Sequence, residues 1–146
     1  GAIASYNKAT RHAPEHIETA GDGMYMVFKD PHAAGHYALE LSELIAGRDW
    51  PAVGLPADMG MRVGLHCGPV YIGHDPITGA PLYTGIHTSR TARIEPITPP
   101  GHVYASGAFA AVAAARCMEG LRFSYIGRTQ LAKQYGALPL FHVKRP

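Results

Sequence analysis

Two sets of polar residues in this sequence could take part in chemistry. One is a carboxylate, Asp22, that two glycines flank in the run Gly21-Asp22-Gly23. The other is a hydroxyl and a guanidinium, Ser89 and Arg93, four positions apart. Residues at i and i+4 share one face of a helix, so this pair could donate hydrogen bonds to one phosphate group. Because an Asp in a glycine turn commonly caps local backbone amides, spacing alone leaves Asp22 open between a structural and a functional role.

A hairpin and a helix are predicted around the carboxylate. His16–Ala20 and Met24–Phe28 are short β-prone runs, and the glycines between them place Asp22 at the hairpin tip. Asp30 and Pro31 then supply an N-cap and a first-turn proline. The apolar positions that follow have the spacing of an amphipathic helix: Ala34, Tyr37, Ala38, Leu41, Leu44 and Ile45.

The hydroxyl–guanidinium pair is predicted to lie on a helix from about Ile86 that stops before Pro96. Upstream of it we expect a strand, an extended segment and an exposed excursion, at 61–66, 69–72 and 74–81. Downstream we expect a strand at 101–105, a helix at 109–118 capped by Ser106, and two closing strands at 123–126 and 139–143 around a bend at 133–136. This order predicts an α+β sandwich with helices packed on a mostly antiparallel sheet.

Composition indicates one folded domain. Of 146 residues, 47% are hydrophobic and 16% charged, which is typical of a folded chain rather than a disordered one. The formal charge of +2 includes no Lys/Arg block, which argues against nucleic acid as a partner. No apolar run approaches the roughly 20 residues of a membrane-spanning helix. Two cysteines are too few for a secreted disulfide scaffold, so we expect a cytoplasmic protein.

The first residues have the pattern of a helix interior. Gly1–Ala13 has helical apolar spacing and no cap before it. We therefore expect a single domain over residues 1–146 with further sequence upstream.

Four segments, taken together, carry a family resemblance. Glu18–Phe28 (ETAGDGMYMVF) is a hairpin with a Gly-Asp turn, and Met61–Val70 (MRVGLHCGPV) has the pattern R-x-G-(I/L)-H-x-G-x-V. Tyr83–Glu95 is a helix with hydroxyl and guanidinium groups, and Leu131–Gly136 (LAKQYG) is a loop with a lysine. In this order they resemble the catalytic domain of the class III nucleotidyl cyclases, in particular the bacterial adenylate/guanylate cyclase branch.

The resemblance implies a fold, an activity and an assembly. The fold would be a ferredoxin-like α+β sandwich whose opening strand is missing here. The activity would be conversion of a nucleoside triphosphate to a 3′,5′-cyclic nucleotide and pyrophosphate in intracellular signalling. The site would form between the subunits of a head-to-tail homodimer around two Mg²⁺ or Mn²⁺ ions, with one aspartate ligand on the opening strand, outside this fragment.

The resemblance also implies roles for three residues introduced above. Asp22 would bind metal, and Arg93 would stabilise charge that develops on the α-phosphate. Ser89, which stands where many cyclases have Asn, would orient the ribose or the phosphate.

Three further positions concern base and phosphate binding. Glu18 stands where guanylyl cyclases carry Glu and adenylyl cyclases Lys, which favours GTP, with ATP and pyrimidine triphosphates as alternatives. Its partner in base recognition would be Thr84 or Leu82, and we select Thr84. Lys133 would bind phosphate from a displaced position, because Tyr135 occupies the usual lysine position.

Several histidines receive plainer interpretations. His32 and His36 have helical i, i+4 spacing, but without a nearby carboxylate motif they are interpreted as surface residues. His66 is interpreted as a packing residue and His87 as a polar residue at a helix start.

The main alternative to an enzyme is a cyclase-like module that has lost turnover and serves in nucleotide binding or dimerisation. The missing first aspartate, Ser89 and Tyr135 favour this alternative, whereas Asp22 and Arg93 favour the enzyme.

Overall fold

The computed structural model describes residues 2–146, apart from the side chains of Ala2 and Ala20. The four helices are α1 (Ala2–Ala9), α2 (Pro31–Ala46), α3 (Ile86–Ile94) and α4 (Gly107–Ala115). The eight strands are β1 (His16–Ala20), β2 (Gly23–Val27), β3 (Val63–Leu65), β4 (Tyr71–His74), β5 (Pro81–Thr84), β6 (Val103–Ser106), β7 (Arg122–Gln130) and β8 (Ala137–Lys144). Short 3-10 turns occupy Pro51–Val53, Glu95–Ile97 and Ala132–Gln134.

Both predicted N-caps are confirmed. The Asp30 side chain accepts a hydrogen bond from the backbone N–H of His32 at 3.1 Å, and α2 starts at the next residue, a proline. The Ser106 hydroxyl oxygen accepts from the backbone N–H of Phe109 at 3.2 Å and starts α4. These short polar side chains satisfy helix amides that would otherwise be unpaired.

The first helix is shorter than predicted. It ends at Ala9 instead of continuing to Ala13, and its predicted first residue, Gly1, lies outside the described residues. Beyond the helix, the Thr10 hydroxyl oxygen accepts the backbone N–H of His12 at 3.1 Å. A local bond of this kind competes with the helical ladder, which explains the early end.

The predicted sandwich is confirmed, with a sheet that is mostly antiparallel. Its four strands have the order β3-β6-β8-β7. β3 runs parallel to β6, while β6 with β8 and β7 with β8 are antiparallel. β1–β2 and β4–β5 form two separate antiparallel hairpins.

Two strand predictions need correction. The excursion predicted over 74–81 is mostly the turn of the β4–β5 hairpin, in which Asp75 accepts the backbone N–H groups of Ile77 and Thr78 at 2.7 and 3.0 Å. The first closing strand continues well beyond the predicted end at 126. A bulge between Tyr125 and Gly127 lets β7 stay paired with β8, although glycine and charge interrupt its apolar pattern.

The core lies on both faces of the four-stranded sheet. Alternate residues of β6 point to opposite sides, with Val103 and Ala105 on one and Tyr104 on the other. The first face packs against α2 and α4 through Ala34, Ala38, Leu39, Leu65, Phe109 and Val143. On the second face, Ile94 of α3 packs with Leu131 and Leu140. The sheet therefore holds α3 on the side opposite to α2 and α4.

Candidate active site

The β1–β2 hairpin presents Glu18 among aromatic residues. Glu18 pairs directly across the hairpin with Tyr25, and Nε2 of His16 lies 3.0 Å from its carboxylate. Burial and then the negative charge of Glu18 raise the pKa of Tyr25, because both disfavour the phenolate. The carboxylate is part of a defined polar cluster.

The same face of the hairpin contacts β5, the strand that leads into α3. The rings of His16 and Tyr83 are in contact, with centroids 4.6 Å apart. Glu18 is thereby brought to the strand just before the predicted substrate helix. Because successive side chains of a strand alternate, Leu82 and Thr84 point away from the face that Tyr83 presents, and both are exposed.

Tyr83 is therefore the β5 residue next to the Glu18 cluster, and the sequence analysis missed it. The sequence does indicate the other two members of the cluster, since Glu18 and His16 are two positions apart on one strand and share a face. Only the contact between strands adds Tyr83 to them.

Asp22 lies at the hairpin tip, as predicted. Gly21 has a φ of 59°, a left-handed conformation that glycine adopts without strain and that turns the chain there. The Asp22 side chain is exposed, and within residues 2–146 no hydrogen bond or ion pair engages it. At a strand rise near 3.3 Å per residue, its Cα lies at most about 13 Å from that of Glu18. This carboxylate is free to bind a ligand from outside the chain.

Ser89 and Arg93 lie on α3, as predicted. Ser89 is exposed and Arg93 half-buried, and one helical turn separates them. The helix starts at Gly85, whose φ of 130° is open mainly to glycine and whose carbonyl accepts the Thr88 hydroxyl at 2.6 Å. In the described part of the chain, neither the Ser89 hydroxyl nor the Arg93 guanidinium has an intramolecular hydrogen bond, so both can donate to a ligand.

The loop between β7 and β8 lies beside the start of α3. The Tyr135 hydroxyl donates to the carbonyl of Ile86 at 3.5 Å, and the Tyr135 ring packs on the second core cluster. Tyr135 is thus occupied in holding the loop. Lys133 has a φ of 55° and an exposed side chain, so the cation of this loop is free.

Asp22 is the metal ligand that the sequence analysis predicts for this site. Among the described residues no group of three or more His, Cys, Asp or Glu side chains is arranged to hold a metal ion. The rings of His12, His32 and His36 lie close together, and the centroids of His32 and His36 are 4.3 Å apart. Their geometry is nevertheless not that of a metal site. A carboxylate oxygen suits Mg²⁺ or Mn²⁺, and Asp22 fits as one such ligand.

An apolar cavity of about 480 Å³ lies away from these residues. It sits between α4 and the sheet and is lined by Ala110, Cys117, Phe141 and other apolar side chains. It contains none of the polar groups discussed above and does not belong to the candidate site.

Comparison with known proteins identifies the fold. No protein-family model matches the sequence, and no curated protein matches it. Solved structures do match over nearly the whole chain. The guanylate cyclase domain of RhGC from Catenaria anguillulae, in complex with GTP, is 20% identical, with a TM-score of 0.78 over 98% of this chain and 79% of that one.

Two further structures agree. An adenylate cyclase from Trypanosoma brucei, described in its monomeric state, is 20% identical, with a TM-score of 0.77 over 99% of this chain and 77% of that one. The adenylyl cyclase CyaB from P. aeruginosa is 14% identical, with a TM-score of 0.68 over 99% and 76%. The chain therefore has the fold of the nucleotidyl cyclase catalytic domains, as the sequence motifs predicted.

Proposed function

We propose that this chain is a nucleotidyl cyclase domain, which converts a nucleoside triphosphate into a 3′,5′-cyclic nucleotide and pyrophosphate. The observation that carries the proposal is the contact of His16 with Tyr83, at 4.6 Å between ring centroids. It joins Glu18 to the strand that leads into the helix of Ser89 and Arg93, so that one subunit would supply these three groups to a site, while the Asp22 of that site would come from the other subunit. The cyclase fold supports the same conclusion.

In the reaction, the ribose 3′ oxygen forms a bond to the α-phosphorus while the bond from that phosphorus to the bridging oxygen breaks. The 3′ hydroxyl loses its proton to solvent water, and pyrophosphate leaves with the bonding electrons. Arg93 would stabilise the charge that develops on the α-phosphate, and Ser89 would orient the ribose or phosphate. Lys133 would bind the phosphates that leave.

Asp22 would hold a Mg²⁺ or Mn²⁺ ion. A bound divalent cation neutralises triphosphate charge and makes the 3′ hydroxyl more acidic. Asp22 supplies one ligand, and phosphate oxygens of the substrate are suitable further ligands.

Glu18 would recognise the base. A carboxylate accepts hydrogen bonds from the N1 and N2 groups of guanine, which favours GTP over ATP and the pyrimidine triphosphates. His16 engages one side of this carboxylate at 3.0 Å and fixes its orientation. We expect Tyr83, which faces the cluster, to take part in this pocket in place of the predicted Thr84, which points away from it.

A head-to-tail homodimer is part of the proposal. The β4–β5 hairpin and the start of α3 expose large apolar side chains, including Tyr71 at 74%, Ile72 at 61% and Ile86 at 57%. Surfaces of this kind are typical of protein interfaces.

A cytoplasmic location is also part of the proposal, and two free cysteines support it. None of the described helices is long and apolar enough to cross a membrane.

The alternative function is a cyclase-like module without turnover. Tyr135 supports it, because this residue stands at the usual lysine position and its hydroxyl is bonded to the backbone of α3. Such a module would bind nucleotide and dimerise but release no product.

The test is an assay of the purified protein with Mn²⁺ and each of ATP, GTP, CTP and UTP, with cyclic products resolved by mass spectrometry. We expect cyclic GMP as the main product. Arg93→Ala should lower kcat by about 10²–10³-fold, because it removes a group that stabilises transition-state charge. Asp22→Ala should abolish turnover. Matched controls are Asp58→Ala and Arg122→Ala, which remove exposed side chains outside the segments that carry the proposed site residues.

Mixing the two inactive variants tests the dimer. If one subunit supplies Asp22 and its partner Arg93, a mixed dimer has one intact site, and equal mixing restores about a quarter of wild-type activity. No recovery would refute the head-to-tail arrangement. Nucleotide binding without any product from the wild-type protein would establish the inactive module instead.

A further inference from the structure

A chain of three polar side chains joins β3, α3 and α4. The Ser106 Oγ lies 2.6 Å from Nδ1 of His66, and Nε2 of His66 lies 2.8 Å from Nδ1 of His87. The two imidazole rings are stacked, with centroids 5.0 Å apart. His66 directly follows β3, His87 is in the first turn of α3, and Ser106 is the cap of α4. Three elements are therefore tied together at one point.

The burial of Ser106 fixes the direction of these hydrogen bonds. Ser106 is 1% exposed, and its oxygen already accepts the backbone N–H of Phe109. Its hydroxyl proton needs an acceptor, and Nδ1 of His66 is the one at hydrogen-bond distance. His66 must then carry its own proton on Nε2 and donate it to Nδ1 of His87.

The ring of His87 is held a second time by Gly68. A β-carbon at position 68 would lie 2.4 Å from Cγ of His87, so the imidazole lies directly against the glycine backbone. His66 and Gly68 both belong to the segment 61–70, whose pattern the sequence analysis singled out. Both of them contact one residue of α3.

We propose that His87 is a positioning residue. Its bond to His66 and its packing on Gly68 hold the first turn of α3, and with it Ser89 and Arg93, against the segment that follows β3. The inference rests on the proposed function, because Ser89 and Arg93 need a fixed orientation only if they meet a substrate. A displacement of about 1 Å in such groups is enough to lower a rate by about 100-fold.

The bond between the two histidines requires Nδ1 of His87 to be an acceptor. A proton on Nδ1 of His87 would face the N–H of His66 across 2.8 Å, and two donors cannot bond. Burial, then His87, then Arg90 lower the pKa of His66 to about 4, so His66 does not take up the proton near neutral pH. The groups that face His66 are His87 and Arg90 from α3, together with the Ser106 hydroxyl at the positive end of α4.

Three variants test the proposal. His87→Phe keeps a ring against Gly68 but removes the acceptor, and we expect kcat to fall by about 10- to 100-fold while KM changes little. His87→Asn offers an acceptor near the position of Nδ1, so it should retain most of kcat. His32→Ala, which removes a half-buried histidine of α2 on the opposite side of the sheet from α3, should match the wild type in rate.

Two structural readouts separate this proposal from the proposed function. The ¹⁵N shifts of the imidazole should show His66 protonated on Nε2. Hydrogen exchange of the Ser89 amide, which bonds to the Gly85 carbonyl at the start of α3, should be about fivefold faster in His87→Phe than in His87→Asn. An Nδ1-protonated His66, or equal exchange and equal kcat in the two variants, would overturn the proposal. Absence of cyclic product from the wild type would refute the proposed function, and the exchange experiment would still decide whether His87 holds α3.

Discussion

Replacement of Gly64 by alanine adds a single methyl group where β3 meets α3. A β-carbon at position 64 would lie 3.0 Å from the backbone nitrogen of Glu95 and 3.0 Å from Cβ and Cγ2 of Ile94. Ile94 is fully buried, at 0% exposure, and the other contact is backbone, so neither neighbour can simply rotate aside. The helix must shift by a few tenths of an ångström, and Arg93 shifts with it.

The expected loss of stability is the difference between two terms. Overpacking of a core contact costs about 1–3 kcal/mol. Alanine in place of glycine restricts the unfolded chain, which returns about 0.5–1 kcal/mol. The net loss for Gly64→Ala is then about 0–2.5 kcal/mol in the free energy of unfolding, with a middle value of about 1 kcal/mol, or a fall in Tm of up to about 8 °C for a domain of this size.

Gly73→Ala is the matched control. Gly73 also lies in a strand, β4, but no atom lies within 4 Å of the β-carbon that alanine would add. Gly73→Ala therefore only restricts the unfolded chain, so the stability of this variant should equal or slightly exceed that of the wild type. The free energy of unfolding of the wild type, Gly64→Ala and Gly73→Ala is measured by urea denaturation, which is followed by circular dichroism. If Gly64→Ala is as stable as Gly73→Ala, the contact between β3 and α3 is not as close as described.

Two further predictions concern single side chains. Asp30→Ala should lose about 1 kcal/mol in urea unfolding because the cap of α2 is removed, whereas Arg116→Ala should change little, because its ion pair with Asp30 is between side chains 58% and 52% exposed. Equal losses in both would mean that the ion pair, not the cap, carries the effect. Glu18→Gln should lower the pKa of Tyr25 in a phenolate absorbance titration, because a negative charge beside the phenolate is removed. The pKa should stay above the ordinary tyrosine value, since burial is the larger cause, and an unchanged pKa would contradict the cross-strand contact.

The parts of the fold that the sequence predicts well depend on local chemistry. Asp30 and Ser106 cap helices because a short side-chain oxygen can reach amides two or three residues ahead, whatever lies around them. The glycines beside Asp22 turn the hairpin for an equally local reason. β7 was predicted too short because Gly127 and Arg128 break its apolar alternation, while its length depends on pairing with β8.

Contacts between elements explain why the site was only partly predictable. Glu18, Asp22, Ser89 and Arg93 lie on the hairpin and the helix that the sequence predicts, but no pattern within one segment shows that the hairpin meets β5. His66 and His87 are 21 positions apart, and each has an unremarkable local context. Their bond exists because the parallel pairing of β3 with β6 brings the residue after β3 beside Ser106, and α3 lies across the same end of the sheet. Interpretation of these histidines as ordinary packing and helix-start residues was therefore the natural result of local evidence, and a two-histidine link of this kind has to be sought in the tertiary structure.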